Sequence, residues 1–155
     1  MKTVLNRLFI FIAALLFLTG ANPSTDVSQV FEDYDYSVTF YIKDFSDELN
    51  IENDIGLFYT VICVKDEEET MAKTLSNILG KSYTVSADEF DFEKFIKKYD
   101  FEIQVEQVLN GLKIYYLYCN FLGETKIVNN KTINMQIAIS GEYVVAGCPL
   151  ILGAY

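Results

Sequence analysis

The chain has 155 residues, 51% of them hydrophobic and 15% aromatic, enough apolar material for one buried domain and too much for a disordered one. Its 22 acidic residues outweigh 12 basic ones to a net charge of −10, and Arg7 is the only arginine; nucleic-acid recognition, which depends on Lys and Arg to offset phosphates, is disfavoured, and so is binding to anionic lipid. Histidine is absent, which removes Ser-His-Asp and Cys-His nucleophile systems and the usual zinc and copper ligands and leaves carboxylates, Lys or Tyr for any chemistry.

Lys2 and Arg7 precede the apolar run Leu8 to Leu18, and Thr19-Gly20-Ala21 supplies small residues before Asn22-Pro23-Ser24. This is the pattern of a secretory signal peptide over residues 1–21, cut ahead of Asn22; a membrane-spanning helix needs roughly 20 apolar residues, and the run stops short of that. An uncleaved anchor is the alternative. Loss of Lys2 and Arg7 takes the net charge from −10 to −12. An extracytoplasmic location follows, secreted or associated with the cell envelope. Residues 22–35 read as a flexible N-terminal segment, and residues 36–155, lacking any Pro-, Ser- or Gly-rich linker, as a single domain.

Tyr36 to Lys43 and Leu57 to Lys65 are rich in β-branched and aromatic residues and predict strands, separated by an acidic loop from Asp44 to Gly56. Asp66 to Leu79 has acids in its first turn and ends at Gly80; Met71, Ala72, Leu75, Ile78 and Leu79 recur at helical spacing, so it predicts a helix lying on a sheet. Ser86 stands three residues before Glu89 as in a capping box, and Phe92, Phe95, Ile96 and Tyr99 follow at i, i+3, i+4 and i+7, which predicts a second helix over 86–99. Phe101, Ile103 and Val105 alternate with Glu102, Gln104 and Glu106, and Asn110-Gly111 marks a hairpin turn into Leu112 to Leu122. Thr132 to Ser140 and Tyr143 to Ala146 complete a four-stranded antiparallel meander. The fold class is α+β, an antiparallel sheet with helices packed on one face.

The acidic runs 44–48, 66–69 and 88–93 could be calcium ligands or a catalytic carboxylate pair, but acids in helix first turns stabilise the macrodipole and need no further role. Asn50 to Gly56 departs from a calcium loop, with its glycine at position seven rather than six and no terminal Glu at the right spacing. No metal or cofactor is expected. Cys63, Cys119 and Cys148 lack redox or metal spacing; they are either one disulfide and a free thiol, the default for an exported protein, or three buried thiols in apolar runs, the reading their surroundings favour. Tyr116 and Tyr118 share one strand face with Tyr115 and Phe121 opposite, which fits strand packing and would also fit a ligand platform. Asn130-Lys131-Thr132 matches the short glycosylation acceptor pattern, which has no meaning in a bacterial protein.

Residues 131–155 carry a denser pattern: Lys131, then Asn134-Met135-Gln136-Ile137-Ala138, a turn, Val145, Gly147 and Pro149, and a terminal Tyr155. This resembles the C-terminal signature of the YwmB-type family, exported proteins of spore-forming Firmicutes. Val145 is separated from Gly147 by Ala146, with Cys148 in the variable place, and the chain is shorter than typical members. The resemblance implies an exported α+β protein whose sheet is TATA-box-binding-protein-like and whose activity is uncharacterised; it does not imply DNA binding, which charge and export both oppose. Abundant Lys, Asn and Ile with one Arg is consistent with an AT-rich, low-GC bacterial genome. Asn134, Gln136, Gly147 and Pro149 are the motif positions without an assigned role. Asn134 and Gln136 are expected on the polar, exposed face of their strand and Pro149 as a terminator lacking an N–H, with a binding edge as the functional alternative. The expectation is a domain without catalytic machinery that binds an envelope protein or wall component; a carboxylate-dependent extracytoplasmic enzyme is the alternative.

Overall fold

The computed structural model describes residues 27–43 and 59–152. Seven strands form one antiparallel sheet, and two short strands form a separate hairpin. The protein is therefore α+β, with a large antiparallel sheet and few helices. Among the described residues no helix is long and apolar enough to cross a membrane.

Strands β1 (Tyr36–Ile42) and β2 (Tyr59–Val64) pair antiparallel, as their β-branched and aromatic composition predicts. The acidic loop between them lies outside the described residues. After β2 a single 3-10 turn, Lys65–Glu67, leads into α1, Glu68–Thr74. The helix expected to run on to Leu79 ends here: Leu75 is already extended at φ −76° and ψ 137°, and Asn77 takes φ 56°. Ile78–Ser86 then becomes β3, a nine-residue strand in the interior of the sheet. Ile78 and Leu79 fit a helical period on paper, but β1 has an open second edge, and pairing along Tyr36 to Ile42 outweighs one more helical turn.

Ser86 is thus the end of a strand rather than a helix cap. Its carbonyl accepts from the Glu89 N–H at 3.2 Å in a turn, and the second helix, α2, spans only Phe92–Lys98. Asp91 caps it, with Oδ1 accepting from the Lys94 N–H at 3.0 Å. The meander then begins with β4 (Glu102–Leu109) and β5 (Leu112–Tyr118). It is interrupted by the small hairpin of β6 (Lys126–Val128) and β7 (Lys131–Ile133). It resumes with β8 (Met135–Ile139), paired to β5, and β9 (Tyr143–Gly147), paired to β8. Asn110 at φ 52° and Gly111 at φ 86° make the two-residue turn of β4 and β5. A shift of register between Ile103 and Val105 places them against Leu117 and Tyr116, so the two face opposite sides of the sheet rather than sharing one. Strand β9 also pairs with β3, from Ser82↔Gly147 to Ser86↔Tyr143, joining the two halves of the sheet. The spatial order is β2-β1-β3-β9-β8-β5-β4.

The front face carries the main core. Val38, Phe40, Cys63, Tyr83, Val85, Leu117, Met135, Ile137, Val144 and Ala146 point into it from six strands. It is roofed by α1, α2 and, ahead of β1, the 3-10 turn Val27–Phe31. Residues 27–35 are accordingly part of the domain rather than a flexible lead-in: Phe31 is fully buried, stacked on Tyr83 at 5.1 Å between ring centroids and on Phe95 at 5.5 Å. Phe95 is the hub, with Phe90 at 5.1 Å and Tyr99 and Phe101 at 5.4 Å. A helix of seven residues is too short to stand alone, so this ring cluster holds α2 in place. Phe95→Ala is expected to destabilise the domain by about 3–5 kcal/mol, read as a lowered midpoint of denaturant unfolding with an unchanged slope.

Candidate functional site: the C-terminal motif and the buried carboxylate

The four motif residues lie together, but not on an exposed face. Asn134 and Gln136, expected to face solvent, are 0% and 4% exposed. Asn134 sits between β7 and β8. Its Nδ2 donates to the Cys119 carbonyl at 2.6 Å and the Leu122 carbonyl at 3.0 Å, and its Oδ1 accepts from the Cys119 N–H at 3.0 Å. The amide thus satisfies the backbone of the loop that leaves β5, where no strand partner is available.

Gln136 lies on the back face, the side away from the main core, in a row with Tyr116, Gly147 and Ser82 on neighbouring strands. That face is covered by the residues that follow β9. The Cys148–Pro149 bond is cis, and residues 150–152 fold back over the sheet as a strap. Gln136 Oε1 accepts from the Ile151 N–H at 3.1 Å. A Cβ on Gly147 would stand 2.6 Å from the Ile151 nitrogen and the Leu150 carbonyl, so this glycine is needed for the strap backbone to lie this close, whereas one on Gly80 would meet only the end of the Leu152 side chain, at 2.8 Å. Beneath it Ile114, Ala138 and Ile151 form a second small core, flanked by Leu112, Tyr116 and Val145. Period-two patterning makes Gln136 look solvent-facing because nothing in a single strand announces that another segment covers its polar side. All four positions therefore serve the fold: Asn134 and Gln136 supply polar partners to irregular backbone, Gly147 admits the strap, and Pro149 turns it.

A second constellation escaped sequence reading. Glu68, one acid within the run 66–69, is 7% exposed. Its Oε2 accepts from the Tyr36 hydroxyl at 2.8 Å, and its Oε1 from the Tyr83 hydroxyl at 2.9 Å and from Lys81 Nζ at 3.0 Å. Lys81 also stands over the Phe40 ring. The carboxylate pins the start of α1 onto β1 and β3; with three donors on two oxygens it is suited to holding structure rather than to moving protons. Only tertiary placement distinguishes it from Asp66, Glu67 and Glu69.

The other candidates resolve as follows. The three thiols are unbridged; Cys63 and Cys119 are buried, Cys148 is half-buried, and burial pushes all three above the ordinary thiol range, which lowers their thiolate character. Tyr115 stacks on Phe92 at 4.1 Å in the front core, with Phe121 against Phe101 on the same side, whereas Tyr116 belongs to the back-face core. The expected division of faces is met, and packing occupies these rings. Among the described residues no cluster of three Cys, Asp or Glu is placed to hold a metal; Asn50 to Gly56 lies outside them. A cleft of about 510 Å³ opens beside α2 between Tyr34, Glu89, Lys94 and Phe95. Three of its charged groups are already engaged: Lys98 donates to Asp33, holding that carboxyl below its usual range, and Asp91 caps α2. Asn130 sits in the exposed β6–β7 turn at φ 59°.

No protein-family model, curated protein or solved structure matches the sequence or its fold. The strap geometry makes a direct prediction. Gly147→Ala forces the tail off the sheet and should cost about 1–3 kcal/mol, as overpacking does; hydrogen exchange should rise at Ile151 and Leu152 while β1 keeps its protection.

Proposed function

We propose that this protein is an exported, non-catalytic cell-envelope domain of the YwmB type, with a TATA-box-binding-protein-like sheet, that binds a protein or wall component. The leader pattern of residues 1–21 and the residues 131–155 support export and kinship. The observation that carries a binding role is the β4–β5 hairpin, where Ile103 is 45%, Val108 70% and Leu109 53% exposed. All three belong to β4, the edge strand of the sheet, and exposed apolar side chains along an unpaired edge mark an interaction site better than single scattered ones do. Glu68, already answered by three donors, is a poor catalytic acid for the alternative enzyme reading, since such a group must remain available to substrate.

The test is capture from envelope extract by the cleaved wild-type domain and by a Val108→Ser, Leu109→Ser variant. A protein or wall fragment retained by the wild type and lost by the variant supports the reading; equal capture by both would remove the hairpin from it. An Asp or Glu found by NMR to titrate above about 6 beside a cleft would favour the enzyme instead.

Duplex DNA should not bind. The ten lysines of residues 22–155 face a net charge of −12, and of these Lys65 and Lys81 already serve backbone carbonyls and Glu68. Fluorescence anisotropy at about 50 mM salt, where attraction is least screened, should show no saturable signal; micromolar binding that weakens steeply with salt would contradict the charge argument.

A further inference from the structure

The same hairpin carries the single Asn-Gly pair of the sequence. Asn110 and Gly111 form the whole turn, at φ 52° and 86°, and Leu109 pairs with Leu112 immediately behind it. Asn110 is exposed, and around Gly111 there is open space, with no atom beyond its two chain neighbours within 4 Å of where a Cβ would be. A glycine nitrogen is the least hindered backbone nucleophile, because no side chain shields it. Opening an exposed turn at the end of an edge hairpin costs little, so the two groups can reach each other without unfolding the sheet.

We propose that Asn110 is a self-modification site that loses its amide by cyclisation onto Gly111. The Gly111 backbone nitrogen attacks Asn110 Cγ, a new N–C bond forms, the bond from Cγ to Nδ2 breaks, and ammonia leaves with the proton from the Gly111 N–H. The five-membered cyclic imide that results is opened by water at either carbonyl, giving aspartate or isoaspartate. Water is the only co-reactant, and nothing is oxidised or reduced. The isoaspartate product lengthens the backbone of a two-residue turn by one carbon, which spoils the register of Leu109 with Leu112 and loosens β4 at the sheet edge.

The other described asparagines set the comparison. Asn77 precedes Ile78, Asn120 precedes Phe121, Asn129 precedes Asn130 and Asn130 precedes Lys131; each following nitrogen is shielded by a side chain. Asn134 is buried with its amide held by two carbonyls. This inference does not depend on what the hairpin binds.

The test is incubation of the folded protein at mildly alkaline pH, with peptide mapping for the small mass gain of amide-to-acid exchange and for isoaspartate. The denatured protein and Asn110→Gln, whose ring closure would need six members, run in parallel. Conversion at Asn110 within a few-fold of the denatured rate, several-fold faster than at Asn129 or Asn130 and lost in Asn110→Gln, is expected, with faster amide exchange along Glu102–Leu109 in the converted fraction. An Asn110 that keeps its amide in the folded protein, whether or not it loses it in the denatured one, would overturn the proposal. So would conversion no faster than at its neighbours.

Discussion

A seven-stranded sheet has two broad faces to remove from water, and among the described residues two helices of seven residues cover them. That shortage of cover governs the rest of the structure. On the front, aromatic side chains extend the reach of the short helices: Phe31, Phe90, Phe95, Tyr99, Phe101 and Phe121 form a continuous layer of rings between α2, the N-terminal turn and the sheet. Large flat side chains bury much area per residue of backbone, which is why a protein with so little helix can be so rich in Phe and Tyr. On the back there is no helix among the described residues, and the tail after β9 takes that place.

Irregular backbone used as a cover has a cost that helices avoid, because its N–H and C=O groups have no built-in partners. The buried polar side chains meet that need. Gln136 answers the strap, Asn134 answers the loop after β5, and Lys65 donates to the carbonyls of Glu32 and Tyr34 in the N-terminal segment. Glu68 does the equivalent for α1, binding it to hydroxyls of β1 and β3. Gln136, Asn134 and Lys65 thus serve backbone that regular secondary structure leaves unpaired.

The elements legible in the sequence are those whose signals are local. Asn110-Gly111 encodes its own turn, and the alternation through Met135, Ile137 and Ile139 encodes β8, whereas the single strand expected from Thr132 to Ser140 breaks at Asn134, whose side chain serves the loop after β5, and Ile133 falls in β7 of the small hairpin. What misled was competition between local and distant terms. Ile78 and Leu79 continue a helical period, yet the open edge of β1 recruits them into β3; Ser86 and Glu89 have capping-box spacing, yet Asp91 is the cap. Asn134 and Gln136 were legible as a motif and illegible as buried, because their partners at Cys119, Leu122 and Ile151 lie 12 to 15 residues away. Glu68 carried no local signal at all, its partners Tyr36, Lys81 and Tyr83 being 32, 13 and 15 residues distant.

The seam between the two halves of the sheet has a consequence for assembly. Strands β1, β2 and β3 can pair as soon as they are made, and so can β4, β5 and β8, but β3 and β8 each keep one edge open until Tyr143–Gly147 slots between them. The last strand is therefore the closing piece, and two rows of unpaired backbone wait for it. Open edges of that kind are templates for pairing with other polypeptides, so a product interrupted before residue 143 would be two sticky half-sheets rather than a smaller version of the domain.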